Sequence, residues 1–210
     1  MTQLKHASNP MLTKLINPFR FIAGFRALAA GVLVILVTAV LAYFSNTHFP
    51  DILSVKISGD LPFWFLVSQG AGNWFIVSVV LYLTAVIASP SSVRLVDIFG
   101  TQALARFPYL PAAGIGFFGS VEKFGQYVLW ENLGMGDGPV AMAGWEMGFA
   151  ILLMMLTILL SIWLVALMYN AFKISANLKG AKSGGLFILG FIVSIVLTRL
   201  FSNYLLAGLV

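Results

Sequence analysis

The sequence predicts an all-α polytopic membrane protein, a transmembrane helical bundle of five spans with the amino terminus inside and the carboxyl terminus outside. Two observations lead there. Of 210 residues, 60% are apolar and 9% charged, with a mean hydropathy of +0.98, far outside the range of soluble domains. The apolar residues also gather into long runs, and the segments joining them alternate in charge sign. No interval is long enough for an extramembrane domain with its own core. The chain therefore reads as a cytoplasmic interfacial leader, 1–26, and a membrane domain, 27–210.

In the leader, Met11-Leu12-Thr13-Lys14-Leu15-Ile16 and Asn17-Pro18-Phe19-Arg20-Phe21 mix apolar and basic residues as an interface-lying element does. The first span, Ala27 to Phe44, carries no charge and reaches roughly 27 Å at 1.5 Å per residue. It exceeds the apolar core of a signal peptide and is expected to be retained. Leu61 to Val67 is apolar but too short to cross, and Ser68-Gln69-Gly70-Ala71-Gly72-Asn73 is expected to interrupt helix. The second span then runs from Ala71 to Ser89, with Trp74 near one interface and Ser89-Pro90 closing the other.

The third run, Phe107 to Val121, is the weak one. It offers roughly 22 Å against a hydrocarbon core of about 30 Å. Pro108 and Pro111 fall at its start, where a missing amide donor matters least. The fourth, Met147 to Tyr169, and the fifth, Leu186 to Leu206, are long enough to cross with some tilt.

Charge decides whether the third run crosses. With five spans, Lys5, Lys14, Arg20, Arg26, Arg94, Arg106, Lys173, Lys179 and Lys182 fall inside, and only Lys56 and Lys123 outside. A third run that dipped in and returned would turn Lys173, Lys179 and Lys182 outward, against the positive-inside bias. The acids agree independently: Asp51, Asp60, Glu122, Glu131, Asp137 and Glu146 fall outside, and Asp97 inside. The net charge of +5 is therefore an orientation signal rather than a sign of nucleic-acid binding. Each cytoplasmic cation gains about 1 kcal/mol from the anionic leaflet, so the lipid bilayer is the first partner.

With no cysteine, the chain has no disulfide, thiolate metal site or thiol nucleophile. His6 and His48 are too isolated to suggest a metal centre. Gly134-Met135-Gly136-Asp137-Gly138 lacks the Lys-Ser/Thr of a phosphate loop and reads as a flexible outer loop. Glu131 and Asp137 flank it without making a cation site. No catalytic residue, metal or cofactor is expected.

Polar residues inside spans cost energy and therefore carry more information. Arg199 stands roughly 10 Å below the outer end of the fifth span, within snorkelling reach. The functional alternative is an ion pair with Glu146 or Glu122, lining a polar cleft with Thr198 and Ser202. Small-residue ladders mark helix-packing faces: Ala23, Ala27 and Gly31; Ala112, Gly116 and Ser120; and Gly190, Ser194, Thr198 and Ser202. Thr157 and Ser161 supply few polar groups for a substrate path.

Between the second and third spans, residues 91–106 read as an amphipathic helix with Val93, Leu95, Val96 and Phe99 against the bilayer or bundle. Arg94, Asp97 and Arg106 are expected to face water. The string Val96-Asp97-Ile98-Phe99-Gly100-Thr101-Gln102-Ala103-Leu104-Ala105-Arg106-Phe107-Pro108 resembles the connector of the Yip family, the Ypt/Rab-interacting membrane proteins. There, a short amphipathic stretch ends in a proline that opens the third of five helices. Asn17-Pro18-Phe19 and Met168-Tyr169-Asn170-Ala171-Phe172-Lys173-Ile174-Ser175 resemble the bacterial leader and the passage before the last span. Eukaryotic members are tied to Rab GTPases through a longer cytosolic amino-terminal region. The short leader here is similar to the bacterial branch, which implies a bacterial inner membrane.

The expected function is a non-enzymatic membrane-organising or interaction component, meeting another membrane protein or a second copy through its small-residue faces. The alternative is a small transporter or channel with a polar path near Arg199.

Overall fold

The computed structural model describes residues 15–57, 59, 61–136, 138 and 140–209. Lys5, His6, the leader segment through Lys14, Asp60 and Asp137 lie outside the described residues. The chain is mostly helical: α1 (Gly24–Phe44), α2 (Phe63–Ala88), α3 (Leu95–Leu104), α4 (Tyr109–Gly114), α5 (Ser120–Leu133), α6 (Gly144–Ser175) and α7 (Gly180–Ala207). Pro18–Arg20 and Ile115–Phe117 are 3-10 turns. A small antiparallel ribbon, β1 (Thr47–His48) on β2 (Lys56–Ile57), folds the loop between α1 and α2.

Among the described residues, α1, α2, α6 and α7 are four helices long and apolar enough to cross a membrane. Their outward faces carry Leu33, Ile87, Ile158 and Leu200 exposed, a surface that suits hydrocarbon and not water. The protein is a multi-pass α-helical membrane protein.

α2 corrects the expected break at Ser68–Asn73. Helix runs unbroken from Phe63 to Ala88, because Gln69 and Asn73, four residues apart, lie on one buried face and find partners there. Gly70 and Gly72 admit Ile35 and Phe201 at close range. Packing thus outweighs the roughly 1 kcal/mol propensity penalty of each glycine.

The third run is rebuilt more deeply. Helix α3, the turn Ala105–Pro108, α4 and the following 3-10 turn run alongside α1 and in its direction. Gly100 meets Gly24 and Leu28, Ala103 meets Gly31, and Gly116 meets Ser45 and Thr47. A side chain at Gly31 or Gly100 would collide with the facing backbone, so the two helices approach as small residues allow. Across the turn, Tyr109 and Leu110 donate to the carbonyls of Arg106 and Phe107, continuing the path where Pro108 offers no donor. Arg106 is therefore not turned to water as expected; it is 2% exposed, within the bundle.

The run ends before Val121. Phe118 turns the backbone to an extended ψ of 100°, and α5 starts at Ser120, so Ser120 leaves the face shared by Ala112 and Gly116. Helix α5 has no buried residue and lies beside the start of α6. It closes on Gly134 at φ 62°, a left-handed cap that glycine adopts without strain. The leader also packs on protein: Trp163 and Asn170 of α6 donate to the carbonyls of Leu15 and Ile16 at 3.1 and 3.0 Å.

Candidate functional site

The loop after α1 folds back over one end of the bundle and redirects the expected ion pairs. Arg199 of α7 lies 3.5 Å from Asp51, not beside Glu146 or Glu122. Asp51 is held by its own turn, accepting from the Leu53 and Ser54 amides at 2.8 Å and from the Ser54 hydroxyl at 2.6 Å. Glu146 instead receives Lys123 of α5 at 2.7 and 2.9 Å and the Ala143 amide at 2.9 Å. It thereby ties α5 to the start of α6 and caps that helix. Glu122 is exposed.

Thr198 and Ser202 are buried against α2, away from any open path. Ser194 and Thr198 donate to the carbonyls of Gly190 and Ser194 one turn earlier, at 2.7 and 2.8 Å. Ser202 accepts from Gln69 at 3.2 Å, and Gly190 faces Leu81 and Thr84. Ala27 and Gly31 are buried against α3, whereas Ala23 is exposed ahead of α1.

A second group of polar residues, among them Gln69 and Asn73 of the expected helix interruption, organises the core. Gln69 accepts from the Phe49 amide at 3.1 Å and Asn73 donates to the Phe49 carbonyl at 2.8 Å. One residue of the loop is thus satisfied by two adjacent turns of α2. Tyr109 donates to the Ile52 carbonyl at 2.7 Å, and its ring stacks on Phe49 at 4.4 Å. Gln102 donates to the Met168 carbonyl at 3.0 Å. The signal for Gln69 and Asn73 was their four-residue spacing inside an apolar stretch. His48, in the same loop, is lowered to about 4, first by burial and then by the charge on Lys56.

At the opposite end, Ser89 donates to the Ala176 carbonyl at 2.8 Å and Lys182 to that of Ala88 at 3.0 Å. Helices α6 and α7 meet there, with the Tyr169 and Phe187 rings 5.5 Å apart. Farther along, a groove of about 1470 Å³ separates them. Its walls come from the loop after α1, from α4 and the 3-10 turn that follows it, and from α5, α6 and the start of α7, and they are mostly apolar. Small residues are frequent among them, including Ala112, Gly116, Gly125, Ala166 and Gly184. Thr157 and Ser161 add hydroxyls that donate to the carbonyls of Leu153 and Thr157 in their own helix, at 2.9 and 3.0 Å. No group of three His, Cys, Asp or Glu side chains that could hold a metal ion occurs among the described residues.

Fold and site together define a multi-pass helical membrane protein with a buried polar core and a lateral apolar groove. Compared with protein-family models, with curated proteins and with solved structures, the chain has no match in any of the three.

Proposed function

We propose that this chain is a five-crossing, non-enzymatic interaction component of the Yip type in a bacterial inner membrane, and that the groove between α6 and α7 receives a transmembrane helix of another membrane protein. The third crossing in this reading is the path from Leu95 to Phe117. Its support is the parallel course beside α1 from Gly24 to Ser45, together with the inside excess of Lys and Arg. The burial of Arg106 removes it from that charge balance without reversing the balance.

The observation that carries the function is the groove itself. Its volume of about 1470 Å³ exceeds the roughly 300–1,000 Å³ that encloses a small ligand, and its small residues permit close helix approach. The hydroxyls of Thr157 and Ser161 keep lone pairs free to accept from an incoming helix. A polar transport path near Arg199 has less support, because Thr198 and Ser202 are sealed against α2.

A photoreactive amino acid in place of Ser161 tests the reading in native membranes. The expected product is a discrete adduct with a second membrane protein; adducts to lipid alone would overturn it. Solute flux through liposomes holding the purified protein would favour the transporter. Reporter tags at the two ends are expected on opposite faces of the membrane, and the same face for both would remove the third crossing.

A further inference from the structure

Among the described residues, Arg106 is the most deeply buried full charge, and its Nε, Nη1 and Nη2 make no hydrogen bond. A guanidinium does not shed its proton to escape burial, so its charge needs compensation. Tyr109 contributes its ring, 5.8 Å from the guanidinium carbon to the centroid, and a neutral hydroxyl turned toward the guanidinium, neither of which supplies a counter-charge. Asp51, the buried carboxylate of the covering loop, is engaged with Leu53, Ser54 and Arg199.

Arg106 lines a small cavity of about 20 Å³ with Thr38, Gln69, Asn73 and Tyr109. That volume accommodates a single small species, since one water-sized sphere requires roughly 10–15 Å³. Most of the other polar walls are committed: Thr38 donates to the Val34 carbonyl, Gln69 is shared between Phe49 and Ser202, and Tyr109 donates to Ile52. Asn73 Oδ1, like the guanidinium, is left without a partner.

We propose that this cavity is a binding site for one small monovalent anion, held by Arg106. The anion supplies the missing counter-charge, and the unfilled Asn73 acceptor gives a protonated oxyanion such as bicarbonate one bond more than a halide. The proposal is independent of the groove and its partner.

Thermal unfolding of the full chain in detergent, at fixed pH and ionic strength, tests it with sodium chloride, bicarbonate or gluconate as the only salt. Gluconate is too large for the cavity. The expected result is a saturable rise in Tm with chloride and with bicarbonate relative to gluconate, larger with bicarbonate, and no such rise in Arg106→Gln. Should that variant fail to fold, Asn73→Asp places a carboxylate in the cavity. It gives up the bond to the Phe49 carbonyl and is expected to lose the anion response. Equal Tm in all three salts for the wild type, or an unchanged anion response in either variant, would overturn the site.

Discussion

Asn73 in α2 and Phe49 in the loop after α1 are joined by a 2.8 Å hydrogen bond from the Asn73 amide to the Phe49 carbonyl, and Gln69 takes the Phe49 amide one turn away. A loop residue thereby sits inside the bundle with both backbone groups paired. The same loop brings Asp51 to Arg199 and Ile52 to Tyr109, so it determines which polar residues meet.

Replacing Asn73 or Gln69 with Leu strands one Phe49 backbone group in an apolar setting. Each change is expected to lower stability by about 1–3 kcal/mol. Denaturant titration in mild detergent measures it. A loss below about 0.5 kcal/mol would mean that the loop does not depend on these bonds.

Arg199 and Asp51 are expected to differ. The Arg199 side chain is 41% exposed and within snorkelling reach of the aqueous interface, so Arg199→Leu is expected to cost no more than about 1 kcal/mol, the range of solvent-screened pairs. Asp51→Ala removes the acceptor of two amides and a hydroxyl and is expected to cost about 1.5–3 kcal/mol. Thermal unfolding of the two variants side by side checks the ranking, and equal losses would contradict it.

Gly31→Leu drives a side chain into the Ala103 and Leu104 backbone. Overpacking of this kind is expected to cost roughly 3 kcal/mol or more and to separate α3 from α1, seen as protease cleavage within 95–117. Gly184→Leu, at a groove wall with open space around it, is expected to stay within about 0.5 kcal/mol of wild type.

His48 links stability to pH. Burial and the nearby Lys56 hold it at about 4 in the folded protein, against 6.5 when unperturbed. Below 6.5 the unfolded chain takes up a proton that the folded chain refuses. Stability from this group is therefore whole above about 6.5, falls as pH drops towards 4, and levels off below. The fall in Tm across that window is expected to be shallower in His48→Leu.

Residues such as Leu33 and Ile158 reveal the lipid environment from composition alone, because hydrophobicity is a property of each residue and the bilayer selects on it directly. The end of α1 at Phe44 was readable for that reason, whereas its start lies three residues before the expected Ala27. Gln69 and Asn73 were misread as helix breakers because propensity acts locally, whereas the bonds that retain them come from Phe49, more than a loop away. Arg106 was misread as a cytoplasmic charge for the same reason: its burial follows from the packing of Gly100 and Ala103 on α1, which no single segment announces.

Hydropathy and charge were thus sufficient for a helical, multi-pass membrane protein with Arg199 in its last helix. The partner of Arg199, the burial of Arg106 and the opening between α6 and α7 came only with the folded chain. Hydrophobic runs are read one segment at a time, but pairing and cavities arise where segments distant in sequence converge.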